Sequence, residues 1–282
     1  MFFLCVILSI ILIVLWFVLY HMRSRSAIFL NKDEACEYFV AHHSLYINSL
    51  SKEERRIKGI DINGSCYDIG RKIISEFSIA EKKMIRNRLP PDQFDIPWFF
   101  IKVSINYENG YPHTINGAIV LSEGDVSSTV LRHERVHVLQ KQYSEWFDSY
   151  YSNLYGVDRL SNIKIPSELK MRVRSNPDTP DLNYGLRVRS VSSTISHIIP
   201  LCLYEKDLIG VKSMSETIIV GYCIPTNQVY PIDAFKLWHD NGGPKEMKKA
   251  EHIHEWVAYN WEDGFPNLIY KKWKNYYKNN KV

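Results

Sequence analysis

The element that most constrains this chain is a run of twelve residues, Thr129-Val130-Leu131-Arg132-His133-Glu134-Arg135-Val136-His137-Val138-Leu139-Gln140. It contains His-Glu-x-x-His, and that spacing has chemical meaning on a helix. Positions four apart are offset by about 40°, so His133 and His137 project from one face and can share a metal ion. Glu134 lies about 100° round from His133, near enough to hold a water beside that metal without ligating it. Two neutral imidazoles leave a zinc ion strongly Lewis acidic, and an adjacent carboxylate can take the proton of the water. The opposing reading is a surface helix with two incidental histidines. Arg135 points about 180° away from the middle of the histidine pair, and the expectation is that it reaches solvent. Val136 and Val138 are placed to bury the flanks. A catalytic zinc needs a third protein ligand and keeps its fourth position for water.

Around this helix the pattern predicts an α+β body. Asn31 or Asp33 can cap a helix running to Leu50, with Ala35, Tyr38, Phe39 and Leu45 inward. Residues 66–88 form a second amphipathic stretch, with Ile69, Ile73, Ile74, Phe77 and Met84 on one side, ended by Leu89-Pro90-Pro91. Residues 98–106 and 117–122 are rich in β-branched and aromatic residues and read as strands. The metal-motif helix spans about Ser127 to Tyr155, and a polar loop follows at 174–181. Strand-like segments return at 184–190, 195–204 and 216–224, and the C-terminal sixty residues read as helices. The chain is 45% apolar with 13 Gly and 12 Pro, which excludes disordered and collagen-like classes. Net charge is only +4 and no Lys/Arg block is present, so no nucleic-acid partner is expected.

Residues 2–20 carry no charge, and as a helix would span roughly 28 Å, close to the thickness of a bilayer's hydrocarbon core. A cleaved signal peptide is the competing reading, opposed by the absence of a basic n-region and of a small-residue cleavage site. The resulting expectation is a single-pass membrane protein: a transmembrane helix at 1–22 held in the lipid bilayer through residues 2–20, a linker at 23–30 and a body at 31–282. Arg23 and Arg25 follow the apolar run, which favours a cytoplasmic body. Scattered Cys36, Cys66, Cys202 and Cys223 read as free thiols, consistent with a reducing compartment, while the Asn63-Gly64-Ser65 sequon would matter only in a lumenal body.

His133–His137 resembles the active helix of zincin metallopeptidases. The chain is also similar to a group of HExxH proteins found in large DNA viruses and algae. That similarity runs through Pro112-His113-Thr114, His133–His137 with Val138-Leu139-Gln140, Ser175-Asn176-Pro177-Asp178-Thr179, and Glu251-His252-x-x-Glu255-x-x-Ala258-Tyr259. The metzincin subclass is excluded, because it needs Gly and His where Gln140 and Tyr143 stand. Glu255 begins Glu-Trp-Val-Ala, which looks like the Glu-x-x-Ala of gluzincin ligand helices. The resemblance therefore implies a zincin-like fold with a mixed sheet and an active-site helix. It implies Zn²⁺ held by His133, His137 and Glu255, with Glu134 as general base. Glu251, His252, His254 and Asp158 remain alternatives for the third ligand, Asp148 has no matching context, and an exposed acidic pair at Glu251 and Glu255 is the opposing reading. Glu251 could instead accept a proton from a liganding histidine. His113, His252 and His254 could be oxyanion donors or structural hydrogen-bonders. Segment 115–122 corresponds to the edge strand that pairs with extended substrate in zincins. The expected function is a membrane-anchored zinc peptidase acting on a peptide or protein substrate. A non-catalytic membrane-tethered binding protein and an amide hydrolase acting on non-peptides are the alternatives.

Overall fold

The computed structural model describes residues 27–61, 63–90, 94–124, 126–179, 183–189, 195–224, 226–231, 252–261 and 273–276. In chain order the elements are β1 (Ala27–Phe29), α1 (Lys32–Ser49), α2 (Lys52–Ile57), α3 (Cys66–Ile73), β2 (Ile74–Ser75), α4 (Ile79–Arg88), β3 (Trp98–Val103), β4 (His113–Ile115) and β5 (Ala118–Leu121). There follow α5 (Ser128–Gln142), α6 (Ser144–Tyr155), β6 (Val157–Arg159), α7 (Ser167–Lys170), β7 (Tyr184–Arg189), β8 (Ile195–Tyr204), β9 (Thr217–Cys223), β10 (Gln228–Pro231) and α8 (Ile253–Trp261).

Among the described residues two sheets form. The first is mixed, in the order β1-β3-β5-β4, with β2 also paired to β3. β1 and β5 run parallel to β3, while β2 and β4 pair antiparallel to their neighbours. The second is an antiparallel meander, β10-β9-β8-β7-β6. The first sheet is covered on both faces, and strict alternation along its strands decides which side chain goes where. Ile101 and Val103 of β3 and Ala118 and Val120 of β5 meet Ala35, Phe39 and Ile47 of α1 and Ile69 and Ile73 of α3. Trp98 and Phe100 of β3, with Ile119 and Leu121 of β5, meet Ile85 of α4 and Leu131 and Val138 of α5. α5 is buried on its other flank as well: Val136 and Leu139 pack with Trp256, Val257 and Ala258 of α8, Trp146 and Phe147 of α6 and Leu186 of β7. The motif helix is thus held between the mixed sheet and α8.

Several expectations change at this level. The single stretch at 66–88 is two helices separated by a strand. Ile74 and Ser75 leave the helix to pair with Val103 and Lys102, and Ser78 restarts it with a capping box in which Glu81 reaches back to the Ser78 backbone. Ser78-Ile-Ala-Glu81 was the sequence signal for that restart. The run from 127 to 155 also divides, at Tyr143, whose backbone leaves the helical region (φ −123°, ψ 43°). Leu45, expected inward, is 89% exposed, because α1 turns Phe39, His43, Tyr46 and Ile47 to the core instead. Residues 27–29, assigned to a linker, pair with β3 and belong to the body.

The membrane expectation is corrected too. Among the described residues no helix is long and apolar enough to cross a membrane. The apolar run 2–20 and its flanking Arg23 and Arg25 lie outside the described residues. Neither a single-pass placement nor an orientation is retained.

A candidate metal centre between two helices

Ser127 accepts the Val130 backbone N–H and starts α5 in the register that puts His133 and His137 one turn apart on the same side. Their rings meet edge to face, 4.8 Å between centroids, with the two Nε2 atoms 3.1 Å apart. α8 crosses this face and supplies Glu255. Ala258, fully buried one turn further along, lets the two helices approach closely. Glu255 Oε2 lies 3.2 Å from His133 Nε2, and Oε1 lies 3.5 Å from His137 Nε2.

These spacings fit zinc. Ligand atoms about 2.0–2.1 Å from a tetrahedral zinc stand about 3.3–3.4 Å from one another; the two Nε2 atoms here are 3.1 Å apart, and each histidine has a different Glu255 oxygen near that distance. The donor set is also right in kind, two imidazoles and a carboxylate. Electrostatics agree with the geometry. Burial opposes ionisation of Glu255, but His137 and His133 overcome it and hold the carboxyl well below the usual carboxylate range. Burial alone would lower both histidines; Asp178 and Glu255 raise His137 instead, and the Glu255 hydrogen bond raises His133. The cluster is a point that favours positive charge.

Glu134 is buried beside it, and among the described residues its Oε2 has no hydrogen-bond partner. Burial, then the negative charge of Asp178, pushes its carboxyl well above the usual value. A buried carboxylate oxygen left without a partner is costly unless something outside the chain completes it. A water held between Glu134 and a metal on the three donors would do so.

The other landmarks converge on the same place. Asn176 Nδ2 donates to Glu255 Oε1 at 3.1 Å. Gln140 Oε1 sits 2.8 Å from His137 Nδ1, and its Nε2 donates to the His254 carbonyl at 3.0 Å. Tyr259, one turn after Glu255, lays its ring against His133, 4.7 Å between centroids. Asp178 Oδ1 accepts from Thr114 N (2.8 Å), from Thr114 Oγ1 and from Lys141 Nζ (3.3 Å). Burial opposes its ionisation, and His137 and Lys141 more than compensate, so its carboxyl is held low. Gln140 and Asn176 carried no assigned role in the sequence, although each lies in a noted landmark; nothing local says that these amides will meet His137 and Glu255.

Other expectations fall away. Asp158 is engaged by Arg187, Ser152 and His197, and Asp148 by Tyr184 and Arg159, both outside the cluster. His252 accepts the His254 N–H on Nδ1, and burial depresses it to about 4. Burial also holds His254 well below its ordinary value. Neither joins the three donors. His113 contacts the Tyr111 carbonyl and the Tyr107 ring rather than the cluster. Glu251 lies outside the described residues. Arg135 does point away from the histidines but does not reach solvent: it is buried, stacked 4.6 Å over Trp98 and donating to the Ile96 and Pro97 carbonyls. Within the segment 115–122 the strand Ala118–Leu121 is not the edge: β5 is paired on both sides, and β4, which ends at Ile115, is the outer strand. At Thr114 the outer backbone of β4 is taken already, its N–H by Asp178 and its carbonyl by Lys141 (2.7 Å).

Comparisons of this chain with protein-family models, with curated proteins and with solved structures find no match.

Proposed function

We propose that the chain is a zinc-dependent peptidase of the zincin kind, with His133, His137 and Glu255 as metal ligands and Glu134 as general base. The observation that carries this reading is the convergence of two imidazoles and a carboxylate, with separations of 3.1 to 3.5 Å, beside a buried carboxylate oxygen that lacks a partner among the described residues. When bound, zinc supplies the Lewis acidity that acidifies a water and polarises a scissile carbonyl. Glu134 receives the proton at Oε2 as the water oxygen attacks the carbonyl carbon. It then delivers that proton to the amide nitrogen as the C–N bond breaks. Burial and the neighbouring Asp178 raise the proton affinity of this carboxyl, which favours the first of these transfers. Asn176 and Gln140 hold the carboxylate and imidazole in place. A peptide is the substrate class implied by the resemblance of the HExxH helix.

The test is metal content and hydrolysis together. Full-length chain should purify with one zinc and cleave members of a peptide library, read by mass spectrometry. Glu134→Gln should keep the zinc and lose hydrolysis by about 10²-fold or more, and His137→Ala should lose both. Wild-type chain without stoichiometric zinc, or activity that survives Glu134→Gln, would replace this reading with a non-catalytic binding protein.

A further inference from the structure

Gln140 sits where its amide has two partners of different kinds. The His254 carbonyl oxygen can only accept, so the group facing it at 3.0 Å is the amide N–H. The opposite end is then the amide oxygen, which also only accepts, and it faces His137 Nδ1 at 2.8 Å. His137 Nδ1 must therefore carry the proton. In the neutral ring this leaves Nε2 with a free lone pair, and Nε2 is the atom that faces His133 and Glu255. Gln140 is 2% exposed, so water does not compete for either end.

We infer that Gln140 is a positioning residue that sets the His137 tautomer and ties that choice to the packing of α8 on α5. This inference rests on the metal reading above and deepens it. The two hydrogen bonds act in series: the carbonyl of His254, the residue immediately before Glu255, orients the amide, and the amide orients the imidazole. Arrival of the helix that supplies the third ligand thus also prepares the second. The remaining buried groups around His137 do not offer this function. Asp178 is occupied by Thr114 and Lys141, and Asn176 by Glu255 and the Asp178 N–H.

Zinc affinity of the full-length chain, measured by competition with a chromophoric chelator, separates this role from packing alone. Gln140→Met keeps the length of the side chain and removes both polar ends; it should weaken zinc binding by about 10- to 100-fold. Gln140→Glu restores an acceptor for Nδ1–H and should recover most of that loss, although it forfeits the bond to His254. Wild-type affinity in Gln140→Met, or a Gln140→Glu no better than Gln140→Met, would overturn the inference. A second readout needs no metal: long-range ¹H–¹⁵N correlations of the metal-free chain at alkaline pH should find the His137 proton on Nδ1 in wild type. A proton on Nε2 would overturn the inference. A wild-type chain that shows the Nδ1 proton yet binds no zinc would support Gln140 as the tautomer-setting group and sink the metal reading instead.

Discussion

Asn176 Nδ2 donates to Glu255 Oε1 across 3.1 Å, so the loop between α7 and β7 reaches into the three-donor cluster. The orientation of that amide is not free. Asn176 Oδ1 accepts the Asp178 backbone N–H at 2.8 Å, which turns the nitrogen toward the carboxylate. The loop is pinned from the other side by Glu54, which accepts both Ser175 N–H (2.7 Å) and Ser175 Oγ (3.2 Å). A chain of half-buried polar contacts thereby links α2 to the Glu255 carboxylate.

The first expected outcome follows from that contact. Asn176→Ala should lower zinc affinity by about tenfold, since a partner that orients a ligand is worth about 10- to 100-fold in affinity. Asn176→Asp should be worse than Ala, because it sets one carboxylate against another in a buried site. Chelator competition on the purified chain measures both. Equal affinity in wild type and Asn176→Ala would remove the loop from the proposed metal centre.

Arg135 gives a test of stability rather than chemistry. Its guanidinium lies 4.6 Å over the Trp98 ring and donates to Ile96 O at 2.7 Å, joining α5 to the strand that begins the sheet's central pair. Arg135→Leu should destabilise the fold by about 3 kcal/mol, from the stacking lost and the carbonyls left without donors. Lysine should recover less than half, since an ammonium has neither the planar face nor the fork. Denaturant midpoints at constant m-value report the change, and zinc affinity of the folded fraction should stay put.

Asp158 predicts a pH dependence. Burial works against its charge, but Arg187 (2.7 Å), Ser152 (2.8 Å) and His197 (3.0 Å) hold its carboxyl below the ordinary value. A depressed carboxylate contributes stability that is fully present above its unfolded pKa of about 3.9 and is lost as pH falls through the folded value. Asp158→Asn should therefore be less stable than wild type at neutral pH, with the gap closing in acid below that point. Urea midpoints across pH would show it; a gap that stays constant into strong acid would mean the network contributes no charge term.

Part of the fold was legible because it is local. The start of the motif helix at Ser127, the one-turn spacing of His133 and His137 and the strand character of 98–106 depend on residues within a few positions of one another, whereas the equally local capping box Ser78-Glu81 is missed where 66–88 is read as one helix. Helical and strand periodicity alone settles which of their side chains share a face.

The rest needed the packed fold. Glu255 follows His133 by 122 residues, and what brings it to Nε2 is the burial of Val136 and Leu139 against Trp256, Val257 and Ala258. The same packing delivers the His254 carbonyl to Gln140. Arg135 was read as solvent-exposed because one helix was considered by itself, whereas α5 is covered on both flanks and its outward face meets Trp98. By itself the sequence determined the face that carries two imidazoles and a carboxylate, since a local repeat encodes it. Tertiary structure decided which distant group completes that face, because hydrophobic burial selects which surfaces meet without regard to separation along the chain.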